Sequence, residues 1–322
     1  MFPSKDELTI CFAHAAYQMQ ARFALRKTGI RSFEVRDPDE FRKRVGEADV
    51  VVVSGMWKND LLPQAAKLKF VQSISSGTDQ YSKEQLAAKK VRLASAAGVN
   101  ARAVAEHAMS LILAIARRLP EARDNQHRKM WRGMIGDLAE REDELGGKTV
   151  LVVGMGRIGS HLAGLAKAFD MKVIGIRRDP SQGTNSADEI HAMGDLVKLV
   201  PQADFVALTC ALTPETTGLM SAAAFAAMKP SAVFVNVARG KVADESALIE
   251  TMKAKRIWAA ALDVTAEEPL PQESPLWAMP NVFITPHTAG ETRAYEDNVL
   301  DILMENLERL WKGDQVLRNQ VL

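Results

Sequence analysis

The run Thr149–Val153 is apolar and largely β-branched, and it leads without a break into Gly154-x-Gly156-x-x-Gly159. Leu162, Leu165, Ala166 and Phe169 then recur at helical spacing. A strand that enters a glycine turn and leaves it as a helix restricts the chain to few folds. Gly154 permits the tight turn, Gly156 lets the backbone approach a pyrophosphate, and Gly159 lets the helix lie close to the strand. The first amides of that helix then face an anion, so the segment reads as a dinucleotide cradle.

The turn lies near mid-chain, and the 322 residues exceed the usual size of one compact core. Before it, apolar segments recur at Thr9 to Phe12, Ser32 to Val35, Val50 to Val53, Phe70 to Ile74 and Val91 to Ala94. Polar or amphipathic stretches between them are long enough for crossover helices, which predicts an open five-stranded parallel sheet. From Ala101 to Leu119 the period turns helical, long enough to leave a first domain and reach a second, and Glu121 to Glu144 reads as a packed helix plus an excursion. Beyond the turn, strands are expected at Val173 to Ile176, Phe205 to Leu208, Ala232 to Asn236, Trp258 to Leu262 and Val282 to Thr285. With Thr149 to Val153 these make six. The amphipathic stretch Glu291 to Lys312, carrying Val299, Leu300, Leu303 and Leu307, is expected to return and pack on the first domain. The predicted fold is α/β, a doubly wound Rossmann cofactor domain at residues 99–290 inserted in a flavodoxin-like substrate domain formed by 1–98 plus 291–322.

Composition narrows the partners. The net charge is +1 and no long single-sign block occurs, so nothing electrostatic points to nucleic acid or an anionic membrane. Cys11 and Cys210, the two cysteines, lack metal-ligand spacing and offer no disulfide framework, which fits a reducing compartment. No stretch approaches a membrane span, and the first residues lack the pattern of a signal peptide. The expectation is a soluble, cytoplasmic protein with a small-molecule partner and no metal.

Ligands of an open α/β sheet sit beyond the carboxyl ends of its strands, and three reactive side chains follow such ends. Arg239 lies in Asn-Val-Ala-Arg-Gly after the strand ending at Asn236, Glu268 follows the strand ending near Asp263, and His287 follows the strand ending at Thr285. Reduction of a 2-oxo acid by hydride uses such a set. A guanidinium fork can grip a carboxylate or keto oxygen, and an imidazole can give its proton to that oxygen as hydride arrives. A nearby carboxylate fixes the ring and stabilises the imidazolium.

These residues carry a resemblance to a known family. The glycine turn, the Asn-x-x-Arg-Gly segment Asn236 to Gly240, the Asp-Val-x-x-x-Glu-Pro-Leu segment Asp263 to Leu270 and the Pro286-His287 pair resemble those of D-isomer-specific 2-hydroxyacid dehydrogenases. Ser76 to Asp79, Ala101 to Leu113 and Leu212 to Thr216 extend the likeness over nearly the whole chain. The resemblance implies that Arg239, Glu268 and His287 are the catalytic set and that amides near Ser76 and Gly77 hold the substrate carboxylate. It implies that Asp263 approaches the nicotinamide carboxamide, with further cofactor contacts at Arg157, Ile158, Thr216, Val237, Ala238 and Gly290. It also implies a homodimer, with the helix from Ala101 and the Glu121 to Glu144 segment at its surface.

One departure concerns the cofactor. NAD-specific members of the family carry an acid at the end of the second strand of this domain, whereas here Val173 to Ile176 runs into Arg177 and Arg178. Arg177 stands close to the expected separation of about 20 residues from the turn. An arginine there can pair with a 2′-phosphate, which predicts a preference for NADP(H), with NAD(H) as the other option and Asp179 as the acid that would serve it. Trp57, after the third strand, is a candidate for lining the substrate pocket. Arginine-bearing relatives often resemble glyoxylate/hydroxypyruvate reductases, so those substrates come first; phosphohydroxypyruvate ranks below them because the chain stops soon after the last helix. The alternatives are a nucleotide-sensing, corepressor-like interaction protein without turnover, or a dehydrogenase for a bulkier 2-hydroxy acid or another substrate class.

Overall fold

Parallel strands covered on both faces need apolar side chains at every position, and the stretches Val50–Val53 and Leu151–Val153 supply them without interruption. A computed structural model describes residues 2–322. In chain order it contains β1 (Thr9–Ala13), α1 (Met19–Ala24), β2 (Arg31–Val35), α2 (Pro38–Arg44), β3 (Val50–Val53), β4 (Phe70–Ser73), α3 (Lys83–Ala88), β5 (Arg92–Ala94), α4 (Ala101–Ala116) and α5 (Leu119–His127). There follow β6 (Thr149–Val153), α6 (Arg157–Ala168), β7 (Lys172–Arg177), β8 (Glu189–Ala192), α7 (Leu196–Leu199), β9 (Phe205–Leu208) and α8 (Ala222–Ala226). The last are β10 (Val233–Asn236), α9 (Glu245–Lys253), β11 (Ala259–Leu262), β12 (Val282–Ile284) and α10 (Tyr295–Lys312). Two compact units result, Met1–Asn100 with Thr292–Leu322, and Ala101–Glu291.

The first unit is a five-stranded parallel sheet of order β2-β1-β3-β4-β5. Alternate residues serve opposite layers. Ile10, Phe12, Val50 and Val52 pack with Met19 and Phe23 of α1 and with Val299, Leu300, Leu303 and Leu307 of α10. Cys11, Val51, Val53 and Leu93 pack with Phe41, Leu86 and Trp57 on the other face. The apolar stripe of α10 thus completes the first layer, and Gly313 ends that helix in the left-handed conformation. Asn306, fully buried on α10, donates to Gln72 Oε1 at 3.1 Å and accepts from the Arg318 amide at 2.7 Å. It fastens the helix to β4 and to the terminal segment, whose Val321 amide donates to Leu93 O of β5 at 2.8 Å.

The second unit is a seven-stranded parallel sheet of order β12-β11-β10-β9-β6-β7-β8. Val150, Val152, Ala207 and Val235 face α4 and α6, while Leu151, Val153, Val206 and Phe234 face α7, α8 and α9. The strand reading of six is one short. β8, with sequence Glu-Ile-His-Ala, is a half-exposed edge strand with one large apolar residue, so it shows no apolar run. It is held by the ladder to β7 and by ion pairing of Lys172 with Glu189 at 2.7 Å. The helix expected to run to Leu119 stops at Ala116. Arg118 turns left-handed and α5 starts afresh with Pro120 in its first turn. All of α4 lies in the second unit.

Asn306→Ala should cost about 2 kcal/mol of stability, because Gln72 and the Arg318 amide each lose a buried partner. Denaturant unfolding followed through Trp311, which α10 carries, checks this against an expected loss of that size.

Candidate active site

The glycine turn connects β6 to α6 at the carboxyl edge of the second unit's sheet. Gly154 has φ +107°, and a Cβ on it would lie 2.5 Å from the Cys210 backbone. A Cβ on Gly159 would lie 2.3 Å from Gly154 O and 2.9 Å from Thr209 Oγ1. Both glycines therefore allow the turn, the exit of β9 and the helix to close on one another. Gly156 differs: a Cβ there would meet nothing within 4 Å. The space outside it is open, and α6 begins there without a capping side chain, so the positive end of the helix faces that space. A dinucleotide pyrophosphate fits this chemistry, with Arg157 and Ile158 in the first turn of the helix. Burial pushes the Cys210 thiol up to about 11, so no thiolate stands beside the anion position.

β7 ends at Arg177, and no carboxylate follows on the strand. The Arg177 guanidinium folds back on its own loop, donating to Gly183 O at 3.2 Å and to Gln182 Oε1. Arg178 is exposed. Asp179 accepts from the Ser181 hydroxyl at 2.7 Å, the Ser181 amide at 3.1 Å and Gln182 Nε2 at 3.1 Å. The Ser181 hydroxyl above all holds its carboxyl below the usual range. Thr216 is buried, and its hydroxyl donates to Ala211 O at 2.7 Å while accepting from the Thr213 amide at 2.7 Å. That hydroxyl braces the loop after β9.

Arg239, Glu268 and His287 follow β10, β11 and β12, which are neighbours in the sheet. Buried Asn236 shapes the first of these loops: its Oδ1 accepts from the Ala238 amide at 3.0 Å and its Nδ2 donates to Arg239 O at 3.2 Å. Val237 and Ala238 are buried, leaving the Arg239 guanidinium exposed with one nitrogen on Ala238 O at 2.7 Å. A Cβ on Gly240 would sit 2.0 Å from the carbonyl of Thr265. Only glycine lets this loop touch the one that carries Glu268.

Glu268 divides its oxygens. Oε1 accepts from the Thr265 amide at 3.2 Å, and Oε2 lies 2.7 Å from His287 Nδ1. An ionised carboxylate only accepts, so Nδ1 carries the proton of that bond and Nε2 is the nitrogen left for chemistry. His287 has φ +56°, an uncommon conformation for a non-glycine residue, and its amide donates to Asp263 O at 2.8 Å. Asp263 is 2% exposed and accepts from Thr285 Oγ1, the Thr288 amide and the Ala289 amide, which fixes the turn leading to Gly290. His107 of α4 reaches Thr285 Oγ1 at 2.9 Å. The sequence signals for His107 and Asn236 are faint, a half-buried polar residue on an apolar helix face and a polar residue closing an apolar strand.

In the first unit, Ser76 and Gly77 lie in the loop after β4. Among the described residues their amides donate to no group of the chain. Trp57, the candidate pocket residue, lies in the core of the first unit. It is 1% exposed, donates to Asn59 Oδ1 at 3.1 Å and packs tilted against Tyr81, so it serves the core of that unit.

Residues 109–289 match the family model described as D-isomer specific 2-hydroxyacid dehydrogenase, NAD binding domain. The chain belongs to this family. A glyoxylate/hydroxypyruvate reductase B of Escherichia fergusonii is 39% identical over 256 residues, covering 79% of this chain and 78% of that protein. A D-3-phosphoglycerate dehydrogenase of Methanocaldococcus jannaschii is 35% identical over 285 residues, covering 86% of this chain and 52% of that one. The chain thus spans about half the length of that longer relative. A solved D-isomer specific 2-hydroxyacid dehydrogenase family protein of Aeromonas salmonicida has a TM-score of 0.85 at 27% identity, with 98% of this chain and 99% of that one covered. The family's nicotinamide dinucleotide suits the cradle described above. Among the described residues no helix is long and apolar enough to cross a membrane.

Gly240→Ala should force the Arg239 and Glu268 loops apart. We expect a stability loss of about 1–3 kcal/mol, measured by denaturant unfolding. Unfolding at the wild-type midpoint would show that the contact is dispensable.

Proposed function

We propose that the protein reduces small 2-oxo acids to D-2-hydroxy acids, with glyoxylate and hydroxypyruvate as the first substrates and NADPH as the preferred cofactor. The observation that carries this reading is the 2.7 Å pair of His287 Nδ1 with Glu268, on strand ends adjacent to that of Arg239 and on the edge that bears the glycine turn. The bound nicotinamide supplies the hydride. Arg239 grips the carboxylate and the keto oxygen of the substrate through its planar fork. His287 delivers a proton from Nε2 to that oxygen, and Glu268 holds the ring and balances the imidazolium charge. In the reverse direction Nε2 takes the proton back. The Ser76 and Gly77 amides are proposed as further carboxylate donors. The 39% identical relative named a glyoxylate/hydroxypyruvate reductase supports the substrate class.

Two features favour NADPH. The strand-end carboxylate that would repel a 2′-phosphate is absent, and Asp179 is committed to its own turn. Arg177 is occupied by the 182–183 backbone, so exposed Arg178 is the guanidinium better placed to accept a phosphate. The 119–144 segment presents Trp131 and Met134, each 99% exposed, and Leu138 at 76%. Apolar side chains so bare favour a homodimer through this segment. A cytoplasmic location remains part of the proposal.

Steady-state kinetics with both cofactors tests the reading. kcat/KM with NADPH should exceed that with NADH by about tenfold or more, and Arg178→Ala should shrink the ratio. A clear NADH preference contradicts the assignment. His287→Ala should lower kcat for glyoxylate or hydroxypyruvate by about 10²–10⁴-fold with NADPH affinity within a few-fold of wild type. Arg239→Ala should raise KM and lower kcat together. Cofactor binding with no turnover across a 2-oxo acid panel would favour a sensor instead.

A further inference from the structure

We propose that His107 is a positioning residue that holds the His287 turn in place through Thr285 and Asp263. The inference rests on the reading of His287 as proton donor. His107 belongs to α4, whose Val104, Ala108, Leu111 and Ile112 are buried against α6 and the sheet, so its imidazole projects from a rigid support.

The proton positions follow from what each group can give. Asp263 Oδ1 accepts from Thr285 Oγ1 at 2.7 Å and from the Thr288 amide at 3.1 Å, and Oδ2 accepts from the Ala289 amide at 3.1 Å. A carboxylate has no proton to offer, so the single hydroxyl proton of Thr285 points at Asp263. Thr285 Oγ1 can then only accept at its 2.9 Å contact with His107 Nε2, which makes His107 the donor and places a proton on Nε2. The same nitrogen lies 3.4 Å from Asp263 Oδ1, so the positive end of its N–H dipole also stands close to the carboxylate. The Asp263 carbonyl also receives the His287 amide at 2.8 Å.

A strained left-handed residue persists where its surroundings over-determine it, and the groups doing so here converge on Asp263. The carboxylate is 2% exposed and relies on chain donors in place of water. Loss of the His107 donor leaves the Thr285 hydroxyl unsupported behind that carboxylate, loosens the 285–289 turn and lets His287 drift from its productive orientation. Glu268 holds only the ring of His287; His107 steadies the backbone that carries it.

The test compares His107→Leu, which removes the donor, with His107→Gln, which retains an N–H at a similar reach. Amide exchange at Thr288 and Ala289 is measured in the ligand-free protein, alongside glyoxylate and hydroxypyruvate kinetics. His107→Leu should speed exchange at both amides by about tenfold and lower kcat by a similar factor, with KM changed less than about twofold. His107→Gln should recover most of both. Thr285→Val breaks the same chain, so the double variant with His107→Leu should lose little beyond the worse single variant. Unchanged exchange in His107→Leu, no rescue by glutamine, or losses that multiply would overturn the inference. Exchange decides it without turnover, whereas wild-type protein that reduces no 2-oxo acid would overturn the parent reading alone.

Discussion

The parallel ladder that joins β10, β11 and β12 runs one residue past the strands and sets the level at which three loops leave the sheet. The Asp263 amide donates to Asn236 O and the Thr285 amide to Leu262 O, each at 2.9 Å. Because this register is fixed by backbone bonds between largely apolar strands, a one-residue slip would turn the Phe234, Ala260 and Leu262 face from its helices. Everything proposed about Arg239, Glu268 and His287 depends on that shared edge.

The interaction proposed to do the chemistry is not the one that holds the fold. His287 and Glu268 are 44% and 37% exposed at their side chains, and an ion pair so open to water contributes little to stability. Its geometry has to be maintained by buried groups behind it. Asn236 closes the Arg239 loop, Gly240 lets that loop touch Thr265, and Asp263 gathers the 285–289 turn. Glu245 adds another brace, accepting the Ala266 amide at 2.8 Å. The pair stays open to solvent while its frame stays dry.

Local patterns made much of this legible. Short apolar segments mark eleven of the twelve strands among the described residues, and the glycines at 154 and 159 reveal a close approach that the structure places against Cys210 and Gly154 itself. β8 escaped because an edge strand needs no apolar run, only a neighbour's ladder. Arg177 and Trp57 show the converse limit. A guanidinium after a strand can bind its own loop, and a tryptophan after a strand can turn inward, depending on where Gln182 and Tyr81 lie. His107 lay beyond local reach for the same reason, since its partner Thr285 is 178 residues away. Long-range hydrogen bonds leave no periodic trace.

The central claim is that one imidazole proton moves between His287 Nε2 and the substrate oxygen in both directions. The most direct measurement is the pH dependence of kcat/KM for 2-oxo acid reduction and for oxidation of the corresponding 2-hydroxy acid. Reduction needs the proton in place and should fall as pH rises, whereas oxidation needs it absent and should fall as pH drops, both through one shared apparent pKa. The two limbs should vanish together in His287→Ala. Parallel profiles in the two directions, or limbs that survive that substitution, would place the proton on another group.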